Sequence, residues 1–214
     1  MVWNAPGSTP ITGQPSSTPR VLVVTGPSGA GKGTLIKQLL ERVPELEVAV
    51  SATTRRQRQG EVDGREYWFL SDEDFLGRAE AGAFVEHVQY VGGRYGTLRS
   101  EIERITEEGG VCVLELELEG ALDIQEHVPG SVTVFIAADV DELERRLKAR
   151  ATESEGQIGE RIELARWQLE QAYRFRYMVR NDDVHRATEA LSALVERELA
   201  LAGTMAVHDP SPHR

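Results

Sequence analysis

At 214 residues, 40% hydrophobic and 28% charged, the chain is long enough for a substantial core in one domain, with room for small inserted lobes. A formal net charge of −11 and a pI near 5.0 argue against general binding to nucleic acid or to anionic membranes. One cysteine (Cys112) excludes an intrachain disulfide, five histidines show no metal-ligand spacing, and no membrane-spanning run or signal peptide is legible, which suits a reducing cytoplasm.

In chain order, residues 1–19 hold four prolines among Ser, Thr, Gly and Gln without periodicity and predict a disordered leader. Residues 21–25 predict a buried strand, and Gly26-Pro-Ser-Gly-Ala-Gly-Lys-Gly-Thr34 follows directly. Strand, glycine loop and helix, in that order, are what a phosphate-binding loop requires. Three residues without a Cβ (Gly26, Gly29 and Gly31) let the backbone curl with its N–H groups turned inward. A helix starting near Gly31 adds the positive end of its dipole. Lys32 is spaced to reach the β- and γ-phosphates of a nucleoside triphosphate, and Pro27, Ser28, Ala30, Gly33 and Thr34 complete the cradle. The hydroxyl comes one position late for the pattern G-x-x-x-x-G-K-[ST], which leaves open which hydroxyl meets Mg²⁺. A glycine-rich turn with a solvated lysine is the plain alternative.

Residues 34–43 place Leu35, Ile36, Leu39, Leu40 and Val43 on one helical face, and Pro44 stops the helix. Residues 48–50 read as a short strand, after which the polar stretch 51–66 changes character. A strand over 67–70 is followed by Ser71 and Asp74, a capping signal for a helix over about 72–81. A strand over 84–91 turns at Gly92-Gly93, and a helix over 99–108 ends at Gly109-Gly110. The core resumes with strands at 111–116, 132–137 and 177–179 and helices over about 120–127, 141–148, 158–173 and 184–200. Residues 151–159 are polar and read as a mobile flap. The domain at 20–203 thus divides into a core (20–50, 98–148 and 162–200), an inserted mostly β lobe (51–97) and a lid (149–161), with a frayed tail over 204–214. Alternating strands and helices make the fold class α/β, a parallel sheet with helices on both faces. Two basic clusters stand out on an acidic chain: Arg55, Arg56, Arg58 and Arg65, and Arg145, Arg146, Lys148 and Arg150. Each suits a small anion, with Arg145, Arg146 and Lys148 read as a solvated helix face.

The phosphate loop, Ser51-Ala-Thr-Thr-Arg55, Gly60-Glu-Val-Asp-Gly64 and Arg94-Tyr-Gly-Thr97, in this order, resemble the guanylate kinase family over residues 21–199. The resemblance implies a P-loop nucleoside-monophosphate kinase with a flexible lid, transferring the ATP γ-phosphoryl group to GMP or dGMP with Mg²⁺ as cofactor. Two polyanions must then meet, and cations offset their repulsion. By the resemblance, Arg55 and Arg58 grip the acceptor phosphate, because an arginine fork bonds two oxygens at once, and Tyr67 and Tyr95 add hydroxyl donors. Ser51, Glu86 and Thr97 choose the base. One carboxylate accepts guanine N1–H and N2–H₂ together, whereas adenine presents an acceptor at N1. Lys32, Arg55, Arg150 and Arg161 are the implied catalytic cations; Arg150 and Arg161 flank the flap, so the site assembles on closure. Asn181 matches a residue near the donor adenine, and capping of the next helix by Asp182 or Asp183 can hold at the same time.

Glu115 and Glu117 stand where the family has an acidic pair, commonly with aspartate second. On one strand both would face the same side, beside the loop. Glu115, with Thr34, is then implied at Mg²⁺, and Glu117 at the guanine side. The extra methylene of Glu117 makes its carboxylate fold back or displace a partner, so weaker GMP binding is expected. Arg56-Gln57 in place of a frequent proline, and Ala151 in place of a frequent glycine, alter loop freedom more than chemistry. Two readings compete with this one. A related P-loop kinase could take another phosphorylated acceptor such as a ribose bisphosphate, which Glu117 allows and the Ser51, Glu86 and Thr97 set opposes. An inactive guanylate-kinase-like module binding phosphorylated protein segments would typically have lost the loop lysine, which is present here.

Overall fold

The computed structural model describes residues 21–90, 92–149 and 155–206. In chain order the first elements are β1 (Val21–Thr25), α1 (Lys32–Arg42), β2 (Leu46–Val48), β3 (Ala52–Thr53), β4 (Trp68–Phe69), α2 (Asp72–Glu80), β5 (Phe84–Tyr90), β6 (Gly93–Leu98) and α3 (Arg99–Glu107). There follow β7 (Val111–Glu115), α4 (Leu118–His127), β8 (Val132–Ala137), α5 (Val140–Ala149), α6 (Glu155–Glu170), β9 (Tyr177–Arg180) and α7 (Val184–Ala206).

Five parallel strands form the core sheet in the order β2-β7-β1-β8-β9. Its central strands are mostly apolar because both faces are covered. Alternation sorts their side chains. Leu22, Val24, Val113, Val134 and Ile136 pack with residues of α1, α5, α6 and α7, while Val21, Val23, Leu114 and Phe135 pack with α3 and α4. Cys112 belongs to the second set and is fully buried, a small apolar residue as expected. Parallel register sets Val24 beside Glu115 and Thr25 beside Phe135, so β1 and β7 end at one rim of the sheet. In open parallel sheets that rim is where ligands bind.

The second sheet, β4-β3-β6-β5, is mixed, with an antiparallel β5–β6 pair. Ala52, Phe75, Phe84 and Leu98 make its small core, and α2 contributes Phe75, stacked 4.4 Å from Phe84. As expected, Ser71 caps α2 by accepting the Asp74 N–H at 3.0 Å. The β5–β6 register slips between Phe84 and Glu86, so Val85 is an extra residue, a bulge. The slip puts Phe84 and His87 together against Phe75 and turns Glu86 to the opposite side. Where the chain passes between the sheets, Glu101 of α3 accepts the Val50 N–H at 3.1 Å and pairs with Arg104.

Several boundaries differ from the sequence expectation. Of the strand expected over 48–50 only Val48 is in one, as the last residue of β2; residues 49–51 are the link over which the chain changes sheet to β3. Helix α4 starts earlier, at Leu118, with Glu117 as its N-cap, so Glu115 ends the strand and Glu117 is no longer on it. Residues 155–159 of the expected flap are helical, the first turns of α6, and α7 runs on to Ala206. Residues 150–154 of the expected lid, the leader 1–19 and tail residues 207–214 lie outside the described residues. Among the described residues no helix is long and apolar enough to cross a membrane.

Candidate active site

Between β1 and α1 the backbone folds back on itself. Gly26 (φ 139°) and Gly31 (φ 87°) adopt conformations that side chains rarely allow. A Cβ would stand 2.2 Å from the Ile136 carbonyl oxygen at the first and 2.4 Å from Asn181 Nδ2 at the second. Lys32 is buried, and its ammonium donates to the Gly26 carbonyl at 2.7 Å, inside the curl of the loop. Asn181 sits behind that loop and is 1% exposed. Its Nδ2 donates to the Ala30 carbonyl (2.7 Å) and its backbone N–H to the Ala137 carbonyl (2.7 Å). Asp183 accepts the Arg186 N–H at 2.9 Å and caps α7, so capping does coexist with a separate task for Asn181.

Arg146 is not part of the solvated helix face expected from the sequence. Its guanidinium donates to the Gly29 carbonyl (3.1 Å) and the Asn181 carbonyl (3.5 Å), and to Glu142 (2.6 Å). Helix α5 lays Leu143 and Leu147 against Gly29, and residue 146 falls on the same side, three after Leu143. Arg145 and Lys148 face solvent and pair with Glu142 and Glu144 on their own helix.

A cleft of about 370 Å³ separates the two sheets. Lys32 reaches it from the core; Ser51, Tyr67, Glu86 and Tyr95 from the lobe; Glu115 and Glu117 from the end of β7 and the start of α4. Seven of the residues singled out in the sequence therefore share one cavity, although they come from six separate stretches of chain. Thr97 stands behind Glu86, donating its hydroxyl to Glu86 Oε1 at 2.7 Å. Arg55 lies beside the wall, 5.3 Å over the Tyr67 ring and paired with Glu61 at 2.9 Å. Arg58 is exposed and gives its backbone N–H to Glu61 at 2.7 Å. Thr34 is exposed in the first turn of α1, and Arg161 is half-buried on α6. Arg150 lies outside the described residues.

Glu86 is 5% exposed, and burial pushes its carboxyl up to about 7; Asp123 adds to the rise and Thr97 opposes it. Its Oε2 lies 2.7 Å from where a Cβ on Gly120 would stand, in the first turn of α4. Only glycine leaves room for the carboxylate there. Glu115 is also shifted upward, by desolvation in the cleft and by Glu117, with Lys32 pulling the other way. Its Oε2 is 3.6 Å from the position a Cβ on Gly33 would take, at the mouth of the loop. The Thr34 hydroxyl and the Glu115 carboxylate are hard oxygen donors beside a phosphate cradle, the donor chemistry that Mg²⁺ takes together with substrate phosphates.

Four contributors escaped the sequence reading. Glu66 lines the cleft, Gly120 makes room for Glu86, Arg146 braces the loop, and Glu61 holds Arg55. Glu61 lies within a motif already singled out, Gly60-Glu-Val-Asp-Gly64, and its six-residue spacing from Arg55 was the available signal. Gly120 and Arg146 carry no such signal, because both act across contacts distant in sequence.

The chain matches the family described as Guanylate kinase over residues 18–198. It is 42% identical over 179 residues to the guanylate kinase of Caldanaerobacter subterraneus subsp. tengcongensis, covering 83% of this chain and 87% of that one. To the guanylate kinase of Rubrobacter xylanophilus it is 43% identical over 182 residues, covering 85% and 95%. The crystal structure of guanylate kinase from Anaplasma phagocytophilum superposes with a TM-score of 0.69 at 26% identity, over 86% of this chain and 87% of that one.

Proposed function

The chain belongs to the guanylate kinase family and is an ATP:GMP phosphotransferase, and we propose that the cleft between its two sheets joins the nucleotides end to end. One observation carries this reading: the lysine of the phosphate loop, at the start of α1, and the buried carboxylate Glu86, on β5 of the second sheet, open into the same cavity. ATP places its β- and γ-phosphates in the loop 26–34, under the inward N–H groups and Lys32. GMP sets its base on Glu86, Ser51 and Thr97 and its phosphate on Arg55, Arg58, Tyr67 and Tyr95.

An oxygen of the GMP phosphate then attacks the γ-phosphorus while the bond to the bridging oxygen of the departing ADP breaks, with no covalent enzyme intermediate. Lys32 and Arg55 offset charge on the two sides, and Arg150 and Arg161 do so from a closing lid. Thr34 and Glu115 are the residues that would hold Mg²⁺, which when bound neutralises charge on the β- and γ-phosphates. Asn181 serves the ATP side by supporting Ala30. Glu117, at the start of α4, approaches the guanine side. Division into core, lobe 51–97 and lid is part of the same proposal, as is a cytoplasmic setting, which the lone buried Cys112 suits.

A coupled ADP-release assay with GMP, dGMP, AMP and a ribose bisphosphate as acceptors tests the assignment. GMP and dGMP should be used, with AMP about 10⁴-fold poorer in kcat/KM, because it leaves Glu86 without its two donors. Preference for AMP or for the sugar bisphosphate would contradict the roles given to Ser51, Glu86 and Thr97.

A further inference from the structure

Resting on the reading of Arg55, Tyr67 and Tyr95 as the acceptor-phosphate grip, we propose that Glu61 is the positioning residue of that grip, a built-in counter-anion that holds Arg55 aimed at the cleft before the acceptor arrives. An arginine side chain left to itself samples many rotamers, and acceptor binding would then have to order it. Here the side chain is 12% exposed and its plane is fixed by two rings, Tyr67 at 5.3 Å and Phe69 at 5.6 Å. A guanidinium has five N–H donors. One terminal nitrogen gives Glu61 Oε2 (3.1 Å) and the Arg56 carbonyl (2.8 Å), and the other gives Glu61 Oε1 (2.9 Å). Two N–H groups remain, one on Nε and one on the second terminal nitrogen.

The same carboxylate organises its own loop. Glu61 Oε2 also accepts the Arg58 N–H at 2.7 Å, and the Glu61 carbonyl accepts the Gln57 side chain at 2.7 Å. One anion thereby ties the side chain at 55 to the backbone at 58, the two arginine positions assigned to the acceptor phosphate. Tyr67 and Tyr95 line the cleft, and Arg55 and Glu61 stand together behind that wall, so the carboxylate acts as a buttress of Arg55 rather than an occupant of the phosphate's place. A placeholder anion would compete with GMP; a buttress helps it. The two roles have opposite signs.

The test compares Glu61→Gln and Glu61→Asp with Arg55→Ala, measuring kcat and KM for GMP and ATP and, by calorimetry, the affinities for GMP and for guanosine. Glu61→Gln should raise KM for GMP about tenfold with kcat and the KM for ATP little changed. The affinity for guanosine, which has no phosphate, should not move. Glu61→Asp keeps the charge and should show the same pattern more mildly. An unchanged or lowered KM for GMP in Glu61→Gln overturns the proposal, and so does an equal loss of guanosine affinity, which would make Glu61 a mere prop of the lobe. Arg55→Ala must itself cut the preference for GMP over guanosine at least about tenfold; if it does not, the phosphate-grip reading of Arg55 fails, and this inference with it. Loss in Arg55→Ala without loss in Glu61→Gln overturns the inference alone.

Discussion

Shut between β5, Thr97 and the first turn of α4, the Glu86 carboxyl keeps its proton up to about pH 7 in the ligand-free protein, because burial disfavours the anion more than Thr97 favours it. The folded-state value is raised, so this group's share of ligand-free stability is full below the ordinary carboxylate pKa and is lost as pH rises through about 7. Binding runs the other way, since guanine N1–H and N2–H₂ need an ionised acceptor. We predict that kcat/KM for GMP climbs about tenfold per pH unit on the acid side of this titration and levels off above it. Glu86→Gln should be a poor GMP kinase without that limb; a limb that persists in Glu86→Gln would assign the titration to another group, Glu115 first. Glu86 also marks a limit of sequence reading. Strict alternation would put it on the same face as Phe84, in the lobe core, and only the one-residue bulge at Val85 turns it into the cleft. Nothing in the residue string announces that bulge.

At the scale of elements, the phosphate loop depends on its neighbours for shape. Its carbonyls at Gly29 and Ala30 are held from behind by Arg146 of α5 and Asn181 after β9. Removing Arg146 leaves Gly29 without that donor and Asn181 with one partner fewer. Arg146→Ala should cost about 1 kcal/mol of stability and raise KM for ATP several-fold, with KM for GMP unchanged and partial rescue by Arg146→Lys. Parallel kinetics for both substrates, with a thermal melt, check this; equal losses toward ATP and GMP would refute a loop-specific role. Helix α1 was legible from the 3.6-residue spacing of Leu35 and Leu39, and α2 from its Ser71 cap. What a surface residue such as Arg146 touches was not, because helical periodicity sorts inside from outside without naming the neighbour.

For the molecule as a whole, two sheets carry two jobs. The parallel sheet ends its strands β1 and β7 at the phosphate loop and Glu115, and the smaller sheet brings Ser51, Tyr67, Glu86 and Tyr95 over the same cavity. The parallel sheet was readable from its mostly apolar strands, and the start of a different region from the break in character after residue 50, where the second sheet begins. The pairing of β3 with both β4 and β6 was not, since two-residue strands carry too little pattern. Across an acidic chain the cations that matter are few and held in place: Lys32 by the Gly26 carbonyl, Arg55 by Glu61. The turnover number of Lys32→Ala with saturating ATP and GMP tests the central claim most directly. A protein that melts like the parent but turns over about 10²-fold more slowly or worse is the predicted result, and parent-like turnover would contradict the account.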